Sequence, residues 1–346
     1  MSQQNGPPNR LLVAGTVSFY LVAALAMVMA NKWVLRSTDF PIFFLFIQML
    51  IAVILFLVCH VVGIIQISMR FDRATLTGLA PLIFLNVVGL TANNFTLKYV
   101  DASFYQVVRG LLLPFTVFTS YIFLNSRPSL RILYACAIVT AGFFIGIFLD
   151  GTVISTRGVI YGVVSSMMSA LHAVTMKRSL EVVGGSALNL SWYTNLLSAI
   201  VLIPLIVFAG EIPAIMLVLH FASENLGTFI WGSAITGGLG FLMSIASVLS
   251  IKVTSPITHM ISSAIRGIAV SFLGNKLFGE YISYGRMWAI AIILAGSLYY
   301  TWVKHEESEQ ASKNKYERVN LEDVEEGSAT SSKHAEGYRR SVAEQK

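Results

Sequence analysis

Ten runs of roughly 20 apolar residues, separated by short polar breaks, dominate this sequence of 346 residues. A stretch of that length, wound as a helix, spans the hydrocarbon core of a bilayer. The runs fall at 11–35, 40–66, 74–97, 102–124, 129–149, 157–180, 186–209, 228–252, 254–278 and 281–303. Between them stand turn and charge signals such as "RSTDFP", "NSRPSLR" and "KRSLEVVGG", and one longer break, "GEIPAIMLVLHFASENLG". Charged residues make up only 12% of the chain, against about 25% in soluble domains. The expected fold is therefore all-α and integral to a membrane, with ten transmembrane helices. Residues 1–10 form a cytosolic N-terminus, residues 11–303 the membrane domain, and residues 304–346 a polar, Ser-rich tail expected to be disordered.

Ten helices divide into two sets of five, about 11–149 and 157–303. Because five is odd, two such repeats must lie inverted in the bilayer, as in many transporters. Arg109 falls in the fourth span and Arg266 in the ninth, which is the fourth of its own half. Lys and Arg are distributed nine to six in favour of the side that holds the N-terminus. By the positive-inside rule both termini are expected in the cytosol.

The basic balance resides in the membrane part: 16 Lys+Arg against 8 Asp+Glu up to Val303, and 8 against 10 beyond it. Charges placed within and between spans do not make a nucleic-acid surface. Cys59 and Cys136 lie in apolar runs without metal-ligand spacing, and the sequence implies neither disulfide, metal nor cofactor. No Ser-His-Asp, HExxH, P-loop or paired-carboxylate arrangement appears, so the chain does not read as an enzyme.

Arg109 and Arg266 carry the argument. An arginine at membrane depth costs about 3 kcal/mol on insertion scales. Asp101, Asp150, Glu211 and Glu280 all fall at span ends, so no acid is placed to neutralise either arginine within the bilayer. An anionic ligand, above all phosphate, is matched by the planar guanidinium fork. Drug and cation antiporters usually need a membrane carboxylate, which is missing here. In "SWYTNLLS", Asn195 presents a donor and an acceptor to a base edge, and Trp192 or Tyr193 can stack on its ring. Tyr193 and Asn195 sit about 200° apart on a helix and so face different ways. In "TANNFTLKYV", Asn94 and Lys98 share a face at i, i+4 and are candidates to line a cavity. The competing reading of each polar residue is a bond to a neighbouring helix.

"SPITH" with a basic residue eight positions after Thr258, "ANNFTLKYVDASFYQVVRG", "NKWVL" and "YTN" together resemble a known family. It is the nucleotide-sugar transporter and triose-phosphate translocator group of the drug/metabolite transporter superfamily. Within it the wording is most similar to the GDP-fucose branch. The resemblance covers about residues 11–303. It implies exchange of a cytosolic nucleotide sugar for a lumenal nucleoside monophosphate across a Golgi or endoplasmic reticulum membrane, with GDP-fucose and GMP as the pair. It places phosphate on Arg266, where relatives carry lysine, and on Arg109, and the nucleotide on Tyr193 and Asn195. Thr258 and Ser263 join the candidate substrate-binding residues, Ser263 as the reader of the sugar. The Gly-Ala-Leu-Asn-Lys motif of GDP-mannose carriers is not matched by Ser263–Gly267, which argues against that sugar. A UDP-sugar such as UDP-galactofuranose, or a small phosphorylated metabolite of the triose-phosphate type, is the alternative cargo. The bilayer and a second copy of the chain, in a homodimer, complete the expected partners.

Overall fold

The computed structural model describes residues 10–151, 153–220, 224–253, 256–311 and 313, and the side chains of all of these except 10–14, 16, 17, 219, 220, 224, 225, 245–253 and 256–264. Two units are distinguished, Met1–Tyr300 and Thr301–Lys346. In the second, residues 301–311 and 313 are helical. The expectation for the tail beyond 313 falls outside the described residues.

Twelve helices follow in order among the described residues. They are α1 (Arg10–Ser37), α2 (Pro41–Val61), α3 (Arg73–Tyr99), α4 (Ala102–Gly110), α5 (Leu112–Leu124) and α6 (Leu130–Phe148). Then come α7 (Thr156–Val182), α8 (Ala187–Phe208), α9 (Ile212–His220), α10 (Glu224–Val253), α11 (Pro256–Phe278) and α12 (Tyr284–Ala311). Nine segments among the described residues are long and apolar enough to cross a bilayer, with α4 and α5 together making one of them. Helix α11, 23 residues long, covers the ninth expected span. Two details differ from the sequence reading. The long break after α8 contains the nine-residue helix α9, too short to span. The fourth span is interrupted at Leu111, three residues before Pro114, whose ring nitrogen has no proton to donate to the helix.

The helix starts are set locally. Ser129, Ser155 and Ser186 cap α6, α7 and α8 by accepting from the backbone N–H three residues on. Asp72 caps α3 in the same way, and Thr75 Oγ1 also donates to its carboxylate at 2.7 Å. Helix α2 has no cap of its own. Instead the carboxylate of Glu211, ahead of α9, accepts from Ile42 N at 3.0 Å and Phe43 N at 2.8 Å. Between α7 and α8 the turn runs through Gly184 and Gly185, both at positive φ (68° and 76°), where a side chain would be strained.

Small residues bring helices together, as lipid provides no hydrophobic drive between them. Helix α7 meets the end of α3 through Gly158 and α4 through Gly162; a Cβ on either would stand 2.4 Å from a valine methyl, of Val100, the residue after α3, and of Val108 in α4 respectively. Ser165 donates to Gly89 O at 3.1 Å across the α7–α3 seam. Ion pairs fix the ends. Arg286, 2% exposed, donates to Asp150 from Nε at 2.9 Å and to Asp101 from Nη1 at 2.7 Å. It thereby ties the start of α12 to the end of α6 and the start of α4. Lys32, 3% exposed, donates to Leu97 O at 2.8 Å and to Val100 O, and lies 3.4 Å from Glu280. Glu280 in turn accepts from Ala102 N at 2.7 Å.

Candidate functional site

Arg109 lies in the last turn of α4, one residue before Gly110, and Arg266 lies halfway along α11. Neither position can turn its guanidinium to lipid at low cost, and both line a partly open cavity of about 250 Å³. The cavity is walled by Asn31 and Tyr20 of α1, Gln48 of α2, Asn93 and Asn94 of α3, Tyr105 of α4, Asn195 of α8 and Thr236 of α10. No Asp or Glu lines it among the described residues. A second cavity, about 380 Å³, shares Tyr20, Arg109 and Arg266 with the first and extends towards α5 and α12. The two guanidinium groups thus stand where both cavities have common walls.

Hydrogen bonds aim these groups. Arg109 donates from Nη1 to the Tyr105 hydroxyl at 2.8 Å, with its guanidinium carbon 5.9 Å from the ring centroid. Tyr105 passes the chain on, donating to Asn93 Oδ1 at 2.9 Å. The Tyr20 hydroxyl is hydrogen-bonded to the Arg266 side chain. Gln48 donates to Asn31 at 2.6 Å, joining α2 to α1 at the cavity wall. Asn195 spends its Nδ2 on Ser191 O at 2.8 Å. Its Oδ1 remains as the acceptor this amide can offer a ligand.

The candidate residues separate into three groups. Arg109, Arg266, Asn94 and Asn195 come together on the central cavity. Lys98 does not: it is salt-bridged to the exposed Asp39 at 2.8 Å and borders a different, polar pocket with Lys32, Arg36 and Glu280. Tyr193 faces away as well. Its hydroxyl donates to Arg70 O at 2.5 Å, and its ring meets Phe71 edge-on. Thr258 and Ser263 lie on α11, but their side chains are outside the described residues. Tyr20, Gln48, Tyr105 and Gln106 escaped the sequence reading. The signal for the last two was available, since they precede Arg109 by four and three residues and so share its helix face. Among the described residues no cluster of His, Cys, Asp and Glu could hold a metal ion.

A model of the Triose-phosphate Transporter family matches residues 11–301, nearly all of the helical part. The chain belongs to this family. A member of the Triose-phosphate Transporter family is a multi-span membrane transporter and not an enzyme, in keeping with the all-helical architecture. Relatives extend over most of the length. The chain is 32% identical to GDP-fucose transporter 1 of Mus musculus, over 85% of this chain and 84% of the mouse protein. It is 31% identical to the GDP-fucose transporter of Caenorhabditis elegans, over 89% of each. It is 29% identical to the Golgi GDP-fucose transporter of Drosophila melanogaster, over 83% of this chain and 88% of the fly protein. A protein crystal structure shares the fold, with a TM-score of 0.50 at 12% identity over 86% of this chain and 97% of that one.

Proposed function

We propose that this member of the Triose-phosphate Transporter family is a nucleotide-sugar antiporter of the Golgi membrane that exchanges GDP-fucose for GMP. Its ten spans work as two inverted five-helix repeats, with both termini in the cytosol. The observation that carries the reading is the meeting of Arg109 and Arg266 on a cavity without a carboxylate among the described residues. Phosphate is the ligand that such a pair selects, because each guanidinium offers parallel donors to two phosphate oxygens. The names of relatives about 30% identical over most of the chain support GDP-fucose as the cargo, and the name of the fly relative supports the Golgi membrane.

The chemistry is non-covalent. GMP or GDP-fucose seats its phosphates on the arginines and so offsets the cost of holding two charges in the bilayer. An empty cavity retains that cost, which makes reorientation without cargo slow and couples the two fluxes. The guanine edge donates to Asn195 Oδ1. Exposure of the cavity to the lumen needs α1 to part from the segment Leu97–Ala102 and from Glu280, which Lys32 now bridges. A triose phosphate would leave most of two cavities of about 250 and 380 Å³ unfilled, so the larger cargo is preferred.

Counterflow into proteoliposomes tests the proposal. Vesicles preloaded with GMP are offered labelled GDP-fucose, GDP-mannose, UDP-galactose, UDP-galactofuranose and triose phosphate. Selective uptake of GDP-fucose is expected. Selective uptake of a UDP-sugar or of triose phosphate would replace the assigned cargo.

A further inference from the structure

Gln106 stands out among the polar side chains of the two cavities. Asn93, Asn94, Asn195, Gln48, Asn31, Thr116 and Tyr105 all have hydrogen bonds within the protein. No hydrogen bond engages the Gln106 amide among the described residues, although it lies at membrane depth on the wall of the 380 Å³ cavity. An amide has two donors and an acceptor with two lone pairs, and this half-buried side chain keeps them available to a ligand in the cavity. It sits one turn before Arg109, so that a ligand with its phosphate on the guanidinium can place the next group along against the amide. The opposite wall is Gly267, immediately after Arg266. A Cβ there would stand 3.7 Å from Gln106 Oε1 and 3.9 Å from Leu294 Cδ2. The glycine leaves the amide and whatever it binds a side chain's worth of room.

The remainder of this wall is largely apolar, with Leu112, Leu113, Ile290, Ile293 and Leu298. A purely polar ligand would lose water against it without return. A ring with hydroxyls on one edge and a methyl group on another fits both surfaces.

We infer that Gln106 is a specificity-determining residue, and that the cavity it shares with Gly267 receives the sugar of the nucleotide sugar, preferring a deoxyhexose. This rests on the nucleotide-sugar reading and assigns one end of its ligand. The phosphates lie between Arg109 and Arg266, the base lies on the Asn195 side, and the sugar's hydroxyls bond Gln106 while its methyl group meets the leucine and isoleucine wall. A sugar that carries a hydroxymethyl group in place of the methyl leaves its added hydroxyl unpaired, which an apolar wall penalises by roughly tenfold to a hundredfold.

The test is ligand-induced thermal stabilisation of the purified full-length protein in detergent, titrated with GMP, GDP-fucose and GDP-L-galactose, the last differing from GDP-fucose only by the hydroxyl on C6. Wild type, Gln106→Leu and Gly267→Ala are compared; the alanine fits at ordinary contact distances and so preserves the helix. Wild type should favour GDP-fucose over GDP-L-galactose, and both variants should lose about tenfold in GDP-fucose affinity while GMP affinity stays unchanged. Equal weakening of GMP and GDP-fucose, or no weakening of either, would overturn the inference. If wild type answers to uridine and not guanosine nucleotides, the assigned cargo fails instead. The comparison of UMP with UDP-galactose in the same variants then decides the role of Gln106.

Discussion

Arg109 of α4 and Arg266 of α11 line the same two cavities, although 157 positions separate them in the sequence (266 − 109). If the chain is the expected inverted repeat, each falls in the fourth span of its half and each repeat supplies one guanidinium. In that arrangement an anion held between them would touch both halves at once, which is what a cargo must do to couple their movement. Arg109→Ala should therefore remove exchange and weaken GMP binding by about 2–5 kcal/mol, the cost of leaving one partner of a desolvated charge contact alone. Titration of GMP against thermal stability checks it.

Asn195 reaches the central cavity from α8 with its Nδ2 already bonded to Ser191 O. If its oxygen accepts from the base, Asn195→Ala should weaken GMP and GDP-fucose by the same factor, about 1–3 kcal/mol. Competition assays with the two ligands measure this. A loss confined to GDP-fucose would move Asn195 from the base to the sugar.

Lys32 and Glu280 are both buried and lie 3.4 Å apart. Removing one partner of such a pair leaves the other charge stranded and costs about 3–5 kcal/mol. Lys32→Met should lower the unfolding temperature strongly. Glu280→Gln added to it should recover much of the loss, because glutamine keeps an oxygen for Ala102 N. Thermal unfolding of the single and double variants in detergent gives the coupling.

Glu211 gives a pH dependence. Burial pushes its carboxyl above the usual 4.5, while the N–H groups of Ile42 and Phe43 and the charge of Lys98 pull it back in part. A raised folded value means that the fold favours the protonated form. That stabilisation is fully present below about 4.5 and is lost as pH rises through the folded value. Relative to Glu211→Gln, the wild-type unfolding temperature should rise on acidification across this window. A difference that stays constant with pH would contradict the assignment.

At Gly285 a Cβ would stand 1.9 Å from the carbonyl oxygen of Leu149, a backbone atom that cannot swing aside. This close approach is what sets Arg286 onto Asp150. Gly285→Ala should destabilise by about 1–3 kcal/mol through overpacking. Arg157→Ala, an exposed position at the start of α7, is the control.

The membrane class and the span positions were legible because about 20 consecutive apolar residues have few other uses. Arg109 and Arg266 were legible because a charge in such a run is costly and stands out. Their faces were harder to read. Lys98 shares a helix face with Asn94, yet it lies a turn nearer the helix end, where Asp39 claims it. Tyr193 turns to the α2–α3 loop, a contact 123 positions away that spacing along α8 does not encode. Arg286 and Lys32 fall near the ends of spans, where spacing along the chain names no partner; their acids, Asp150 and Glu280, are 136 and 248 positions distant (286 − 150 and 280 − 32). Helix α9 hid in a break because a nine-residue apolar stretch has no membrane signature.

The most direct test is uptake of labelled GDP-fucose into GMP-loaded and empty proteoliposomes by wild type, Arg266→Ala and Arg266→Lys. Wild type should take up GDP-fucose far faster into loaded vesicles than into empty ones. The alanine variant should be inactive in both while it folds normally, and the lysine variant should retain part of the exchange, keeping the charge but not the planar fork. Normal uptake by Arg266→Ala would contradict the claim that phosphate holds this arginine in the membrane.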